Sequence, residues 1–132
     1  MKVLALDYGR ARTGLALSDP TGTLARPLGV VERASEPTGL DRIAAVVADE
    51  GVEQVVVGMP LTLRGERGEQ ARETETFVEA LAARLAVPVV TYDERFTTGL
   101  AQRTASDAPE DAVAAAHLLS DYLAWCSSGA RA

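Results

Sequence analysis

The sequence predicts an α/β fold: a five-stranded mixed sheet, three antiparallel strands followed by two parallel crossovers, with helices on both faces. Three observations predict it. Short apolar runs separated by turn residues open the chain. The hydrophobic period then changes from that of a strand to that of a helix. Buried β-branched runs alternate with helical stretches through the second half, which is the pattern of strands joined by right-handed crossovers.

Each element follows from its residues. Val3–Leu6 is an apolar run closed by Asp7, and Tyr8-Gly9-Arg10-Ala11-Arg12 carries a turn. Thr13–Ser18 forms a second strand, stopped by Asp19-Pro20-Thr21-Gly22, and a third lies within Leu24–Val31. Leu40, Ile43, Ala44, Val46 and Val47 recur at helical spacing, with Thr38 as N-cap, Asp41 at N3 and Gly51 as the stop. Val55–Val57 is a buried strand. A longer helix follows Gly68, with Ala71, Thr74, Phe77, Val78, Leu81 and Leu85 on one face. Pro88–Tyr92 is the fifth strand, and Thr97–Arg103 a short helix. Pro109 suits the first position of a last helix whose stripe is Ala114, Ala115, Leu118, Tyr122 and Trp125. Residues 1–126 make one domain, and 127–132 a small, polar, fraying tail.

Composition excludes several classes. With 132 residues, 47% of them apolar, the chain can bury a core and is not disordered. Apolar runs such as Leu85–Val90 are too short to span a bilayer, so no membrane partner is expected. The first residues read as a strand ending in a carboxylate, not a secretory signal, which places the protein in the cytoplasm. A single cysteine, Cys126, excludes an internal disulfide framework and a cysteine zinc site. The net charge of −6, from 13 basic and 19 acidic side chains, means that nucleic-acid binding must rest on a local basic patch. Every basic residue except Lys2 is an arginine, the side chain best shaped for bidentate phosphate contacts.

In sheets of this kind, sites form at the carboxyl edge of the parallel strands. There the sequence places Asp7, then Gly58-Met59-Pro60, then Asp93-Glu94-Arg95, with Asp111 at the start of the last helix. Crowded carboxylates require neutralisation, and a set of oxygen donors suits Mg²⁺ or Mn²⁺. Two such ions about 3.5–4 Å apart can activate water and stabilise a leaving oxygen in phosphodiester cleavage. Against this, a lone Asp at a strand end is often a turn former, and an acid in a helix's first turn also favours the macrodipole. Asp19 opens an Asp-Pro-Thr-Gly turn at the far end of its strand and reads as structural. His117 lies six residues beyond Asp111, on another side of the helix, and reads as packing or surface. Ser18 and Ser106 lack a histidine base, so triad hydrolysis has no support. The segment Gly65-Glu66-Arg67-Gly68 lacks the ending of a P-loop and reads as a loop entering a helix, with Arg64 and Arg67 placed to meet phosphates.

These residues resemble the motifs of the YqgF (RuvX) family. Asp7-Tyr8-Gly9, Arg12 and Gly14–Asp19 are similar to its opening motif; Gly58-Met59-Pro60-Leu61 with Gly65 and Gly68 to its second; Tyr92–Thr98 to its third; and Asp111–Ala115 with Asp121-Tyr122-Leu123 to its fourth. The four stand in order from residue 7 to 123, over nearly the whole chain. The resemblance implies an RNase H-like fold and a nuclease, either of Holliday junctions or in 5′-end maturation of pre-16S ribosomal RNA. It implies that Asp7, Glu94 and Asp111 are the catalytic, metal-binding positions, with two Mg²⁺ or Mn²⁺ ions. Thr97 and Thr98 would aim that loop, Asp93 would face away from the metal, and Gly9 and Pro60 would support the edge. Arg10, Arg12, Arg64, Arg67 and Arg95 are the candidate phosphate contacts. Two departures lower the positive charge: Ala11 stands where the opening motif has Lys, and Ser106–Glu110 is acidic where the family carries basic residues.

The expected partners are structured RNA, branched DNA or ribosomal precursors, bound by a monomer or a homodimer; cutting a two-fold symmetric junction calls for the dimer. Two rivals stand beside the nuclease. One is a half of an actin-like nucleotide-binding ATPase, since the Asp-x-Gly turn resembles the phosphate loop of that class, although such proteins need two lobes. The other is a catalytically idle nucleic-acid or ribosome-assembly module on the same fold.

Overall fold

A computed structural model describes residues 1–60, 68–93 and 109–128. The elements run β1 (Val3–Asp7), β2 (Arg12–Ser18), β3 (Ala25–Glu32), α1 (Pro37–Glu50), β4 (Gln54–Met59), α2 (Glu69–Ala82), β5 (Val89–Asp93) and α3 (Glu110–Ser127). The sheet order is β3-β2-β1-β4-β5. β1 pairs antiparallel with β2 and parallel with β4, and β4 pairs parallel with β5. The expected mixed sheet forms, with Asp7, Met59 and Asp93 closing three adjacent parallel strands.

The alternation of side chains sorts the core into two layers. Leu4, Leu6, Leu15, Leu17, Val55 and Val57 pack with Leu40, Ile43 and Val47 of α1 and with Phe77 and Leu81 of α2. Val3, Ala5, Ala16, Val56 and Tyr92 point the other way, onto Ala115, Leu118, Leu119, Tyr122 and Leu123 of α3. Two helices therefore cover one face of the sheet and one helix the other. Among the described residues, no helix is long and apolar enough to cross a membrane.

The helix ends hold two corrections. α1 starts at Pro37 with Glu36 as N-cap and no side-chain cap bond, so Thr38 lies inside the helix. Proline at the first position already has the helical φ and gives up an N–H that would be unpaired there, which outweighs a threonine cap one residue later. At the other end Gly51 takes the left-handed conformation (φ 67°), as expected. In α3, Pro109 is the N-cap, one residue ahead of its expected place. The buried stripe of α3 is also wider than expected: Ala112, Ala116, Leu119 and Leu123 join Ala115, Leu118 and Tyr122. The helix lies against β2, β3 and β1 together, and so buries more than one line of side chains. The short helix expected at 97–103 lies outside the described residues.

Candidate active site

The β1–β2 turn distributes its side chains to both faces of the sheet. Asp7 follows Val3 and Ala5 in the alternation and so belongs to the α3 face. Tyr8 belongs to the other face, where its ring stacks on Phe77 of α2 at 4.3 Å. Gly9 closes the turn: a Cβ there would lie 2.6 Å from the Arg12 carbonyl oxygen, too near for any side chain. Arg10 turns toward α2 and donates from Nε to both carboxylate oxygens of Glu73, at 2.9 and 3.0 Å. Glu69 adds a second, longer ion pair at 3.6 Å. The Glu73 hydrogen bond raises the Arg10 pKa, and Arg10 in turn holds the Glu73 carboxyl below its ordinary value. These groups line an open cavity of about 450 Å³ with Tyr8, Gly9 and Gln70.

Arg12 returns to the α3 face. Its Nε lies 3.1 Å from Oδ2 of Asp111, in the first turn of α3. What seats that turn so close is Gly14. Asp7 and Gly14 are direct partners across the β1–β2 ladder. A Cβ on Gly14 would collide with the backbone carbonyl of Asp111. Only glycine lets the start of α3 settle onto β2 at this row, and the row is that of Asp7. Two acids 104 positions apart in sequence thereby share one face and one edge. On the other side of Asp7, the parallel register Leu6↔Val57 continues to Gly58, another residue without a side chain. The Asp7 carboxylate is thus flanked by glycines on both neighbouring strands.

Beside this edge lies a second cavity of about 520 Å³, lined by Arg12, Val30, Glu32, Pro109, Glu110 and Asp111. Among the described residues its lining carries three carboxylates and one guanidinium, a balance that favours cations. Hard oxygen donors with open space around them fit Mg²⁺ or Mn²⁺. Among the described residues, no cluster of three metal-ligating side chains occurs; Asp7 and Asp111 are the two expected ligands in view. Glu94 lies outside the described residues, as do Arg64, Arg67, Arg95, Thr97 and Thr98. Asp93 closes β5 opposite Met59. Val90 and Tyr92 pack with α3, so alternation puts Asp93 on the opposite face. Half-buried Pro60 follows directly after β4 and has no N–H with which to extend the ladder.

Asp19 is structural. Its Oδ1 accepts the backbone N–H of Thr23 at 2.7 Å and of Leu24 at 2.9 Å, and its Oδ2 accepts the Thr21 hydroxyl. Those donors hold its pKa down to about 2, the Thr21 hydrogen bond contributing most. The ring of His117 has a buried Nε2 with no hydrogen-bond partner among the described residues. The reading of the sequence missed the acidic partners of the arginines, Glu73 for Arg10 and Glu32 and Glu110 around Arg12, because those pairings are tertiary. The role of Gly14 had a local signal: a glycine inside an otherwise apolar strand marks the close approach of another backbone.

A sheet of this order, with helices on both faces and Asp7 and Asp111 on one face of its carboxyl edge, has the RNase H-like architecture. The solved structure "T. thermophilus RuvC in complex with Holliday junction substrate" superposes with a TM-score of 0.67 at 21% identity, over 98% of this chain and 96% of that one, which shows the shared fold. The model of the RuvX family, described as Holliday junction resolvase, matches residues 1–125, and the chain belongs to this family. A relative from Roseiflexus sp., named "Putative pre-16S rRNA nuclease", is 41% identical over 92% of this chain and 93% of its own length. Another of the same name, from Rubrobacter xylanophilus, is 44% identical over 92% of this chain and 91% of its own.

Proposed function

We propose that this protein is a divalent-metal-dependent endonuclease that hydrolyses phosphodiester bonds in structured nucleic acid. Its substrate is pre-16S ribosomal RNA, cut toward the 5′ end, or a Holliday junction; pre-16S rRNA and the junction are the substrates named for its relatives and its family. The observation that carries the reading is the seat of α3 on Gly14, which sets Asp111 on the face and edge of Asp7. The third ligand is Glu94, which follows Asp93 in the sequence directly after β5, two strands from β1.

Asp7, Asp111 and Glu94 hold two Mg²⁺ or Mn²⁺ ions, which supply Lewis acidity and lower the pKa of water at this edge. The three carboxylates carry the charge that fixes those ions. Arg12, with Arg64, Arg67 and Arg95, contacts phosphates and sets the scissile bond over the edge without reading sequence. Arg10 joins them only by exchanging Glu73 for a phosphate. Residues 1–126 act as one nuclease domain.

The test is cleavage of a panel consisting of a four-way DNA junction, a pre-16S rRNA fragment, duplex DNA and single-stranded RNA, with Mg²⁺, Mn²⁺ or EDTA. We expect metal-dependent cleavage of the junction or the precursor in preference to the unbranched controls. Full-rate cleavage in EDTA would overturn the metal reading. Saturable stabilisation by ATP with no cleavage would favour the ATPase rival.

A further inference from the structure

We propose that Arg12 is an exchangeable counter-ion of Asp111: it neutralises this carboxylate while the site is empty, and it moves to a substrate phosphate once a divalent cation takes its place. This rests on the metal-dependent reading given above and assigns to one residue the coupling of metal binding to nucleic-acid binding.

Four observations carry it. The Arg12 Nε sits 3.1 Å from Asp111 Oδ2, the carboxylate that the metal needs. The pair is not a staple of the fold. Its side chains are 64% and 37% exposed, and exposed pairs contribute little to stability. The first turn of α3 is already seated by Gly14. Finally, among the described residues lining its cavity Arg12 is the only cation, against Glu32, Glu110 and Asp111. In that state the cavity repels phosphate. A divalent cation reverses the local balance and leaves the guanidinium without its carboxylate, beside an incoming anion of matching geometry.

Arg12 is thus a competitor of the metal and a helper of the substrate, and the two roles predict effects of opposite sign. Removing it should tighten metal binding and weaken nucleic-acid binding. A residue that only supports the fold would weaken both. A residue that only contacts phosphate would leave the metal untouched.

The experiment is a Mn²⁺ titration of the full chain, followed by calorimetry and by melting, for wild type, Arg12→Gln and Arg12→Lys. Arg12→Gln should bind Mn²⁺ roughly two- to fivefold more tightly, the range corresponding to one exposed ion pair. Arg12→Lys keeps the charge and should fall between the two, and it serves as the readout should the glutamine variant not fold. At saturating Ca²⁺, Arg12→Gln should bind a four-way DNA junction more weakly than wild type. Equal or weaker Mn²⁺ affinity in both variants, with wild type binding normally, overturns the exchange alone. Absence of any saturable Mn²⁺ binding in wild type overturns the metal reading and the exchange with it.

Discussion

The two ends of β2 carry acids that do opposite things. At one end, Asp19 commits its oxygens to donors within five residues of itself: two backbone N–H groups and one hydroxyl. At the other end, Gly14 brings in Asp111 from the far end of the chain, beside Asp7, with Arg12 as the counter-charge. The first arrangement is complete without any ligand. The second brings acids from distant elements to one face and one edge, next to an open cavity. An acid that satisfies itself locally is part of the fold, whereas acids drawn together by tertiary packing are candidates for a site.

The largest effect should come from Asp7. Asp7→Asn keeps the shape and removes the charge, so cleavage should fall by at least ~100-fold, about 2.7 kcal/mol of barrier. Glu94→Gln should do the same, while Asp93→Asn, on the opposite face, should lose activity only modestly. If Asp93→Asn abolishes metal binding and Glu94→Gln retains it, the two acids exchange roles. Melts and cleavage assays on the three variants decide between these outcomes.

Gly14→Ala breaks the comparison from the packing side. Its methyl group has no room against the Asp111 carbonyl, so α3 must shift at its start. Overpacking of this kind costs about 1–3 kcal/mol, and activity should fall further than stability, because Asp111 moves away from Asp7. A Gly14→Ala variant with wild-type activity would mean that this seat does not position the site.

A smaller effect is expected on the α2 side. Glu73→Gln removes the hydrogen-bonded acid that holds Arg10. Nucleic-acid affinity should then rise a few-fold at low salt and converge with wild type as salt increases. Affinity that is unchanged at low salt would exclude Arg10 as a phosphate contact.

The smallest effect on function should come from Asp19→Ala. Its carboxyl is held at about 2, below the ordinary 3.8, so its contribution to stability is complete above pH 3.8 and is lost as pH falls toward 2. The variant should melt below wild type at pH 7, and the gap should close over that acidic range. Cleavage and metal affinity at pH 7 should stay those of wild type. A loss of metal binding in Asp19→Ala would dissolve the contrast between the two ends of β2.

The legible parts of this protein were those set by local pattern. Alternation and strand ends located Asp7, Asp93 and the order of elements along the chain, and the Asp-Pro-Thr-Gly turn marked Asp19 as structural. Asp111 was legible as an acid in a first helical turn, and Gly14 as a place of close approach, but no local pattern says that the two meet. The arginines were recognised by type, yet Arg10 and Arg12, two residues apart, go to different helices because the chain reverses there: Arg10 lies in the turn and Arg12 opens β2. Thr38 failed as a cap because Pro37 starts the helix earlier.

The most direct test of the central claim, that Asp7 and Asp111 form one cation site, is the shift of melting temperature with Mn²⁺ in wild type, Asp7→Asn, Asp111→Asn and Asp19→Asn. A cation that binds only the native site must raise the melting temperature. The account predicts a saturable rise in wild type and Asp19→Asn, and its loss in both Asp7→Asn and Asp111→Asn. A full rise in Asp7→Asn or Asp111→Asn would contradict it.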